Sequence, residues 1–427
     1  MLFTRQNILG ERRLLLDTTL LLIGGGTLAI SFYMAWSIGA NDVANSMATA
    51  VGAKAITFRQ AVLIAGILNF IGAVTVGKHV TEIIKGHIIN PVIIGEPKTL
   101  ILGFAASLLA AAIWVTLSTW KEMPISTTHS VIGALVGFGL ITCGTSCVNW
   151  KELGFVASSW VLSPVFGCIL AFIVFKTIVK TIFEQDNPVA SAKIVGPIII
   201  GITAFLITSS LLLKTLLSEI LGITDLTNIL TISAIISIAV IGISIFLLRN
   251  IEAKTDKDYT LVENIFRKLQ IITSCYVAFS HGANDVANAI APVAAISSLL
   301  SSNTLGIYAE IPTYLLAIGG AGISVGCLTW GHRVMKTVGG RITRLTNTRG
   351  FSVDFGAATT VLIASKLGLP ISTSHTVVGA VIGVGLARGL DAVDLGVIKK
   401  IIYSWLLTVP VAAATSATIF ICLTWIV

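Results

Sequence analysis

The sequence predicts an all-α polytopic membrane protein built from two repeats, and three observations lead to this fold class. Hydrophobic residues make up 55% of the 427 residues and charged residues only 11%, which is unusual for a soluble globular chain. Apolar runs with few or no charges reach the length of about 20 residues that crosses a bilayer as a helix. Motifs from the first half of the chain recur in the second. Together these features indicate membrane-spanning helices arranged as a duplicated unit.

The apolar runs predict about eleven or twelve membrane helices. The first run is followed by a polar motif and not by a small-residue cleavage site, which argues against a removable signal peptide. The net charge of +8 is attributed to basic cytoplasmic loops that face anionic lipid, and nucleic acid is not expected as a partner. We therefore expect a multi-pass protein of the cell (plasma) membrane. The clearest runs are residues 18–41, 99–120, 153–175, 226–248 and 401–427.

Two motifs carry the duplication. GANDVAN occurs at residues 39–45 and again at 282–288, roughly half the chain length apart. PISTTHSVIGA at residues 124–134 returns as PISTSHTVVGA at 370–380, and it follows its GANDVAN at a similar distance in both halves. The repeated order makes coincidence a poor explanation.

The repeat boundaries follow from these motifs. We predict a first repeat over residues 14–248, a charged linker over 249–268 and a second repeat over 269–427. Another matched pair is TVGKHVTEIIKGHI at 75–88 and TWGHRVMKTVGGRI at 329–342.

This last pair bears on orientation, because the segment is strongly basic only in its second copy. Under the positive-inside rule the second copy faces the cytoplasm and the first faces outside, as an inverted repeat requires. The N-terminal tail counts against this arrangement, because Arg5, Arg12 and Arg13 would then lie outside.

The chemistry of GANDVAN favours binding of a small cation. An aspartate within a membrane segment is costly and is therefore expected to be functional. Closely spaced Gly, Asn and Asp disfavour a regular helix and offer carbonyl, amide and carboxylate oxygens, which are ligands for hard cations. The alternative is that the asparagines only hold helices together in lipid. The predicted sodium ligands are Asn41, Asp42, Asn45, Asn284, Asp285 and Asn288.

The chemistry of PISTTHS and PISTSHT favours binding of an anion. The proline fixes a non-helical entry, and the following hydroxyl residues can cap a helix, so that backbone N–H groups and hydroxyls point at one place. The alternative is an ordinary capped helix. His129 and His375 follow the hydroxyl triplets, and the sequence leaves open whether they carry protons or form hydrogen bonds between helices. The triplets are Ser126, Thr127 and Thr128 in the first half and Ser372, Thr373 and Ser374 in the second.

These motifs resemble those of the PiT family of inorganic phosphate transporters over nearly the whole chain. The resemblance implies an inverted-repeat fold of about twelve helices with re-entrant helical hairpins, and secondary active uptake of phosphate driven by sodium or, in some bacterial members, by protons. It also implies that phosphate lies against both hydroxyl triplets, with Asp42 and Asp285 close by. The sequence around the first GANDVAN is similar to the sodium-coupled branch. A homodimer is an assembly that the sequence leaves open.

Charge counting gives a separate reason for cation coupling. Neither motif contains Lys or Arg, so two carboxylates and a dianionic phosphate would bring about four negative charges into a low-dielectric pocket. Sodium ions, or protons on the aspartates, would remove this repulsion. The prediction is symport of inorganic phosphate with sodium. The alternatives are proton-coupled phosphate symport and transport of sulfate, although only a protonated phosphate can donate a hydrogen bond to Asp42 or Asp285.

Other classes of protein fit the sequence less well. A Walker-type nucleotide motif is absent, which argues against an ATP-driven pump with its own nucleotide site. Paired half-sites favour alternating access over an open channel. Because no activated nucleophile or His and Cys metal cluster is evident, we expect neither an enzyme nor a bound cofactor, and sodium is expected as a co-transported ligand. Cys143 and Cys147 lack further metal ligands at suitable spacing and are given no role.

Overall fold

The computed structural model describes residues 2–84, 89, 91–214, 221–223, 225–249, 255, 258–302, 311–366 and 371–426. These residues are predominantly α-helical, and no β-strand occurs among them apart from one isolated antiparallel bridge between Ile89 and Val148. The predicted all-α class is confirmed.

Fourteen α-helices lie in the described ranges, and several are much longer than the mean helix of a soluble protein. They are α1 (Leu2–Gly52), α2 (Phe58–Ile84), α3 (Pro91–Ile94), α4 (Pro97–Trp120), α5 (Thr127–Cys143), α6 (Trp150–Ile178), α7 (Pro188–Lys214), α8 (Leu226–Arg249), α9 (Tyr259–Ser302), α10 (Thr313–Trp330), α11 (His332–Lys336), α12 (Asn347–Lys366), α13 (Thr373–Leu386) and α14 (Leu395–Ile426).

Eight stretches of helix in the described part of the chain are long and apolar enough to cross a membrane. Their length and hydropathy match the thickness of the hydrocarbon core, so the chain is a multi-pass membrane protein. The total of about twelve spans stays a prediction. The eight stretches are Phe58–Gly77, Pro97–Trp120, Thr127–Cys147, Trp150–Phe183, Pro188–Leu213, Leu226–Arg249, Thr313–Trp330 and Leu395–Ile426.

The two GANDVAN segments are regular α-helix, contrary to the expectation that they would disturb it. The first copy lies inside the 51-residue helix α1, and the second lies inside the 44-residue helix α9. Asn and Asp disfavour helices when their side chains compete for the local backbone. Here Asn41 and Asn45 instead bond to groups on other helices. Tertiary partners therefore offset the low helix propensity of the motif.

The helices of one half pack on those of the other in a reciprocal pattern. Helix α1 packs on α10, and its counterpart α9 packs on α2; α5 packs on α14, and its counterpart α13 packs on α6. The same reciprocity holds for individual contacts. A Cβ added to Gly39 would lie 1.9 Å from the carbonyl oxygen of Ile323, and one added to Gly282 would lie 2.1 Å from that of Asn69. Glycine thus lets the backbones approach closely, as is common between membrane helices.

Two segments outside the repeated GANDVAN and hydroxyl motifs are also largely helical. Residues 75–84 continue α2, and the second copy of this segment, at 329–342, is mostly helical and contains a π-helix at Thr337–Arg341. Of the predicted linker, residues 259–268 form the start of α9, whereas residues 250–254, 256 and 257 lie outside the described residues. Residues 85–88 and Pro370 of the motif pairs also lie outside them.

Cys143 and Cys147, which received no role from the sequence, form a disulfide. This bond closes the 3₁₀ turn Gly144–Cys147 that follows α5. The bridge from Ile89 to Val148 lies directly after it. These contacts join the segment before α4 to the segment after α5, so α4 and α5 form a hairpin whose opposite end carries the first hydroxyl triplet.

Candidate functional site

The polar residues of the two repeated motifs meet in the interior of the helix bundle. Helices α1 and α9 bring Asp42 and Asp285 together, and the exposed fractions of these two residues are 1% and 6%. The N-termini of α5 and α13 carry the two hydroxyl triplets to the same place. Four segments that are far apart in sequence thus form one buried polar cluster.

Asp42 is held by groups from both halves. The hydroxyl of Thr127 donates to Oδ2 of Asp42 at 2.9 Å, and the hydroxyl of Ser374 donates to Oδ1 at 3.0 Å. The amide of Asn45 also donates to Oδ1 at 2.9 Å and lies 2.8 Å from Oγ of Ser374. One carboxylate therefore connects the first hairpin, the second hydroxyl triplet and the first GANDVAN.

Asp285 has a different environment. Nε2 of His281 lies 2.7 Å from Oδ2 of Asp285. The amide of Asn288 donates to Oδ1 of Asp285 at 3.3 Å and to the hydroxyl of Thr128 at 3.1 Å. The second GANDVAN is thus joined to the first hydroxyl triplet, which is the reciprocal of the contact between Asn45 and Ser374.

His281 was not among the predicted site residues. Its Nε2 also lies 3.7 Å from Oδ2 of Asp42, and its Nδ1 lies 2.6 Å from Oδ1 of Asn69. Within the described ranges, it is the only basic side chain paired with either carboxylate. The sequence contained a signal for it, because His281 directly precedes the second GANDVAN whereas Ile38 precedes the first.

The three side chains of Asp42, His281 and Asp285 form a potential metal-binding group. Each can offer one ligand atom, and these atoms all lie within 4.8 Å of one another. Carboxylate oxygens with nearby hydroxyl and amide oxygens suit small hard cations. The side chains of the cluster therefore provide suitable ligand atoms for a bound cation.

Asn41 lies beside the cluster and makes other contacts. Its amide donates to Oγ1 of Thr119 at 2.8 Å and to the carbonyl of Met123 at 3.1 Å, and its Oδ1 accepts from the backbone N–H of Ile125 at 3.2 Å. These contacts anchor the turn between α4 and α5. Its predicted role as a sodium ligand stays a prediction.

Asn284 and Thr373 border a small cavity next to the cluster. The cavity has a volume of about 40 Å³ and also contacts Asn45 and His281. A volume of this size can hold a few water-sized groups. It lies between α9 and α12, which contribute most of its remaining lining: Tyr276, Val277, Ser280, Ala357, Ala358 and Val361.

The hydroxyl triplets begin their helices as the sequence predicts. Ser126 is the N-cap of α5, and its side chain accepts from the backbone N–H of His129 at 3.2 Å. Ser372 is the N-cap of α13 and accepts from the N–H of His375 at 3.3 Å. The helix starts are thus fixed by their first hydroxyl, and Thr127 and Ser374 remain to contact Asp42.

A further buried carboxylate, Asp354, was not among the predicted site residues. Its exposed fraction is 2%, and it accepts hydrogen bonds of 2.7 Å from the hydroxyls of Thr49 and Ser274. Thr49 lies seven residues after Asp42, which is about two turns along α1. Asp354 belongs to neither repeated motif, so no pattern in the sequence distinguished it from an exposed acid.

Membrane-spanning helices around a buried cluster of carboxylates and hydroxyls indicate a protein that moves small polar solutes across the membrane. The family to which the chain belongs is shown by comparison with known proteins. Residues 38–416 match the model of the phosphate transporter family. The chain is a member of this family.

Individual relatives agree with this assignment. A provisionally named phosphate permease of Thermococcus kodakarensis is 51% identical over 394 residues, which cover 92% of this chain and 96% of the relative. The inorganic phosphate transporter 2-1, chloroplastic, of Arabidopsis thaliana is 41% identical over 437 residues, covering 95% and 72% of the two chains. A solved structure described as the sodium-dependent phosphate transporter is similar with a TM-score of 0.85 and 47% identity, and the match covers 95% of this chain and all of that one.

Proposed function

We propose that this protein is a secondary active transporter that carries inorganic phosphate across the plasma membrane by symport with sodium. The observation that carries the proposal is the position of Asp42, whose carboxylate accepts hydrogen bonds from Thr127 and from Ser374. A cation bound to this carboxylate would lie beside hydroxyls from both halves. An anion bound to those hydroxyls would then lie next to the cation.

Electrostatic interactions couple the binding of phosphate to the binding of cations. Asp42 and Asp285 are buried close to one another, and His281 is the one basic group described beside them. A phosphate bound without cations would be repelled by the carboxylates in a medium of low dielectric constant. Cations bound without phosphate would lack part of their ligand shell. Each ligand therefore strengthens the binding of the other, and this reciprocal effect is the basis of symport.

The roles of the residues follow from their chemistry. We assign phosphate binding to the two hydroxyl triplets with Asp42 and Asp285, and sodium binding to the same aspartates with Asn45, Asn284 and Asn288. We also assign Asn41 to sodium binding, as the sequence predicts; its amide donates to Thr119 on α4. Sulfate is disfavoured because it lacks the proton with which phosphate can donate to a carboxylate.

The two repeats provide a structural basis for alternating access. We propose that residues 14–248 and 269–427 are inverted repeats and that the two hairpins α4–α5 and α12–α13 are re-entrant. The reciprocal packing of the halves supports this, because two equivalent units on one central site can exchange roles between inward-open and outward-open states. The similar solved structure, described as sodium-dependent, supports the choice of sodium.

The test is uptake of labelled phosphate into proteoliposomes that contain the purified protein. A sodium gradient and a proton gradient are imposed separately, with potassium in place of sodium as the control. We expect uptake with the sodium gradient alone. Uptake driven only by the proton gradient would replace sodium with protons as the coupling ion, and uptake indifferent to both gradients would exclude symport. Unlabelled arsenate should compete about as well as phosphate, and sulfate should compete poorly.

A further inference from the structure

The role of His129 and His375 is not explained by ion or phosphate binding. The two imidazoles meet edge to face, with ring centroids 5.0 Å apart and an interplanar angle of 78°. Their exposed fractions are 4% and 1%. Each follows a hydroxyl triplet, so their contact joins the phosphate-binding ends of the two hairpins, which belong to different halves of the chain.

Each histidine lies in the first turn of its helix, and its backbone is bonded to the N-cap residue. The backbone N–H of His129 donates to the N-cap hydroxyl of Ser126, and the N–H of His375 donates to that of Ser372. These bonds fix the first turn of each helix, and the same turn carries both the imidazole and the hydroxyls of the triplet. The position of the ring and the position of the triplet are linked.

Two tryptophans extend the contact on either side. Trp405 stacks on His375 at 3.9 Å with an interplanar angle of 21°, and its indole N–H donates to the carbonyl of Pro124 at 3.0 Å. Trp405 thereby touches both hairpins. Trp160 lies on the other side, with its ring 5.9 Å from that of His129. The four rings form a continuous row across the junction of the halves.

The polar atoms of His375 contribute little to this arrangement. Neither of its ring nitrogens has a hydrogen-bond partner among the residues described, although both are buried. In the other half, Nε2 of His129 lies 3.4 Å from Oγ of Ser159. Among the described residues, the contacts of His375 with His129 and Trp405 are therefore made by its ring surface and not by its nitrogens.

We propose that His129 and His375 are positioning residues that hold the two hydroxyl triplets together as one phosphate-binding unit through ring contact. This inference rests on the proposed function of the triplets. It assigns the two histidines to affinity for phosphate and not to proton transfer. Aromatic pairs of this kind contribute beyond the area that they bury.

The first test measures phosphate uptake by His375→Ala and His375→Phe, with His332→Ala as a matched control at the start of α11. We expect His375→Ala to raise KM for phosphate about threefold to tenfold, with a smaller change in the maximal rate per folded protein. His375→Phe should restore most of the affinity and leave the shape of the pH profile unchanged. A lower maximal rate with unchanged KM, equal loss in both variants, or a displaced pH profile in His375→Phe would each overturn the proposal.

The second test does not depend on transport. Thermal unfolding is measured for His129→Ala, His375→Ala and the double variant in detergent. Contact between the rings predicts that the double variant loses less stability than the sum of the single losses. Additive losses would overturn the proposed contact between the two histidine rings. If the wild-type protein takes up no phosphate, the proposed function fails while this measurement still decides whether the rings act together.

Discussion

At the scale of single residues, the two aspartates of the repeated motif are not equivalent. Asp42 is surrounded by hydroxyl and amide donors from both halves, whereas Asp285 is paired with His281. The repeat of the sequence predicts two equal half-sites. The histidine breaks this equality, because the first copy has Ile38 at the corresponding position.

The central prediction at this scale concerns Asp42. We expect Asp42→Asn to reduce sodium-driven phosphate uptake by at least about a hundredfold, because the loss of a buried charged ligand that binds cargo costs several kcal/mol. The measurement is the initial rate of labelled phosphate uptake into proteoliposomes. The exposed Asp391, changed to Asn, serves as the control. Sodium-driven uptake close to that of the wild type would remove Asp42 from the mechanism.

Much of the site could be predicted from sequence because its residues occur in repeated motifs. The repetition of GANDVAN and of the hydroxyl triplets identified both carboxylates and both helix starts, and the structure brings these groups together. Asp354 could not be found in this way. Its significance depends on Thr49 and Ser274, which approach it only after α1, α9 and α12 have packed.

At the scale of helices, close approach of the backbones determines where the site residues lie. Gly39 and Gly282 are the first residues of the two GANDVAN motifs, and each packs against a backbone carbonyl of the opposite half. Three residues further along each helix lies an aspartate of the site. The separation of the helices at the glycine therefore sets the positions of the carboxylates.

The close packing of Gly282 predicts that a larger residue at this position destabilises the protein. In Gly282→Ala the new Cβ would lie 2.1 Å from the carbonyl oxygen of Asn69, so the helices must separate. We expect the free energy of unfolding to fall by about 4 kcal/mol or more. The measurements are the unfolding temperature and the yield of folded protein, and both should be lower. Gly154→Ala is the control, because a Cβ at Gly154 meets no atom within 4 Å. Equal stability of the two variants would contradict the close packing.

GANDVAN forms regular helix although its Gly, Asn and Asp residues have low intrinsic helix propensity. Intrinsic preferences amount to less than about 1 kcal/mol per residue and are easily outweighed by tertiary contacts. The bonds from Asn41 to Thr119 and from Asn45 to Ser374 are such contacts. By contrast, the N-caps Ser126 and Ser372 were predictable because capping depends on a few adjacent residues.

At the scale of the whole molecule, the helices of the two halves pack extensively on one another, so the halves are not separate domains. Helix α2 packs on α9, α10 on α1, α5 on α14 and α13 on α6. All four pairs join helices of opposite halves, so each half alone would leave apolar and polar faces uncovered. The chain is expected to fold as one unit.

Expression of the two halves as separate fragments tests whether each half needs the other to fold. We expect residues 1–254 and 255–427, expressed separately, to yield little folded protein, because each lacks the helices on which its own helices pack. Co-expression should restore an assembled complex that takes up phosphate, since the division falls outside every described helix. Co-purification on a tag attached to one fragment is the measurement. Independent folding of either fragment, with a sharp unfolding transition, would contradict the prediction.

The reciprocal contacts of Gly39 and Gly282 also bear on ancestry. Two identical chains of half the length could make both contacts at once, each offering its glycine to the carbonyl of the other. Such a pair would meet about a symmetry axis and would have an aspartate from each copy at its centre. Gene duplication and fusion would then have converted a homodimer into a single chain, and fusion allows the two copies to differ, as His281 and Ile38 do.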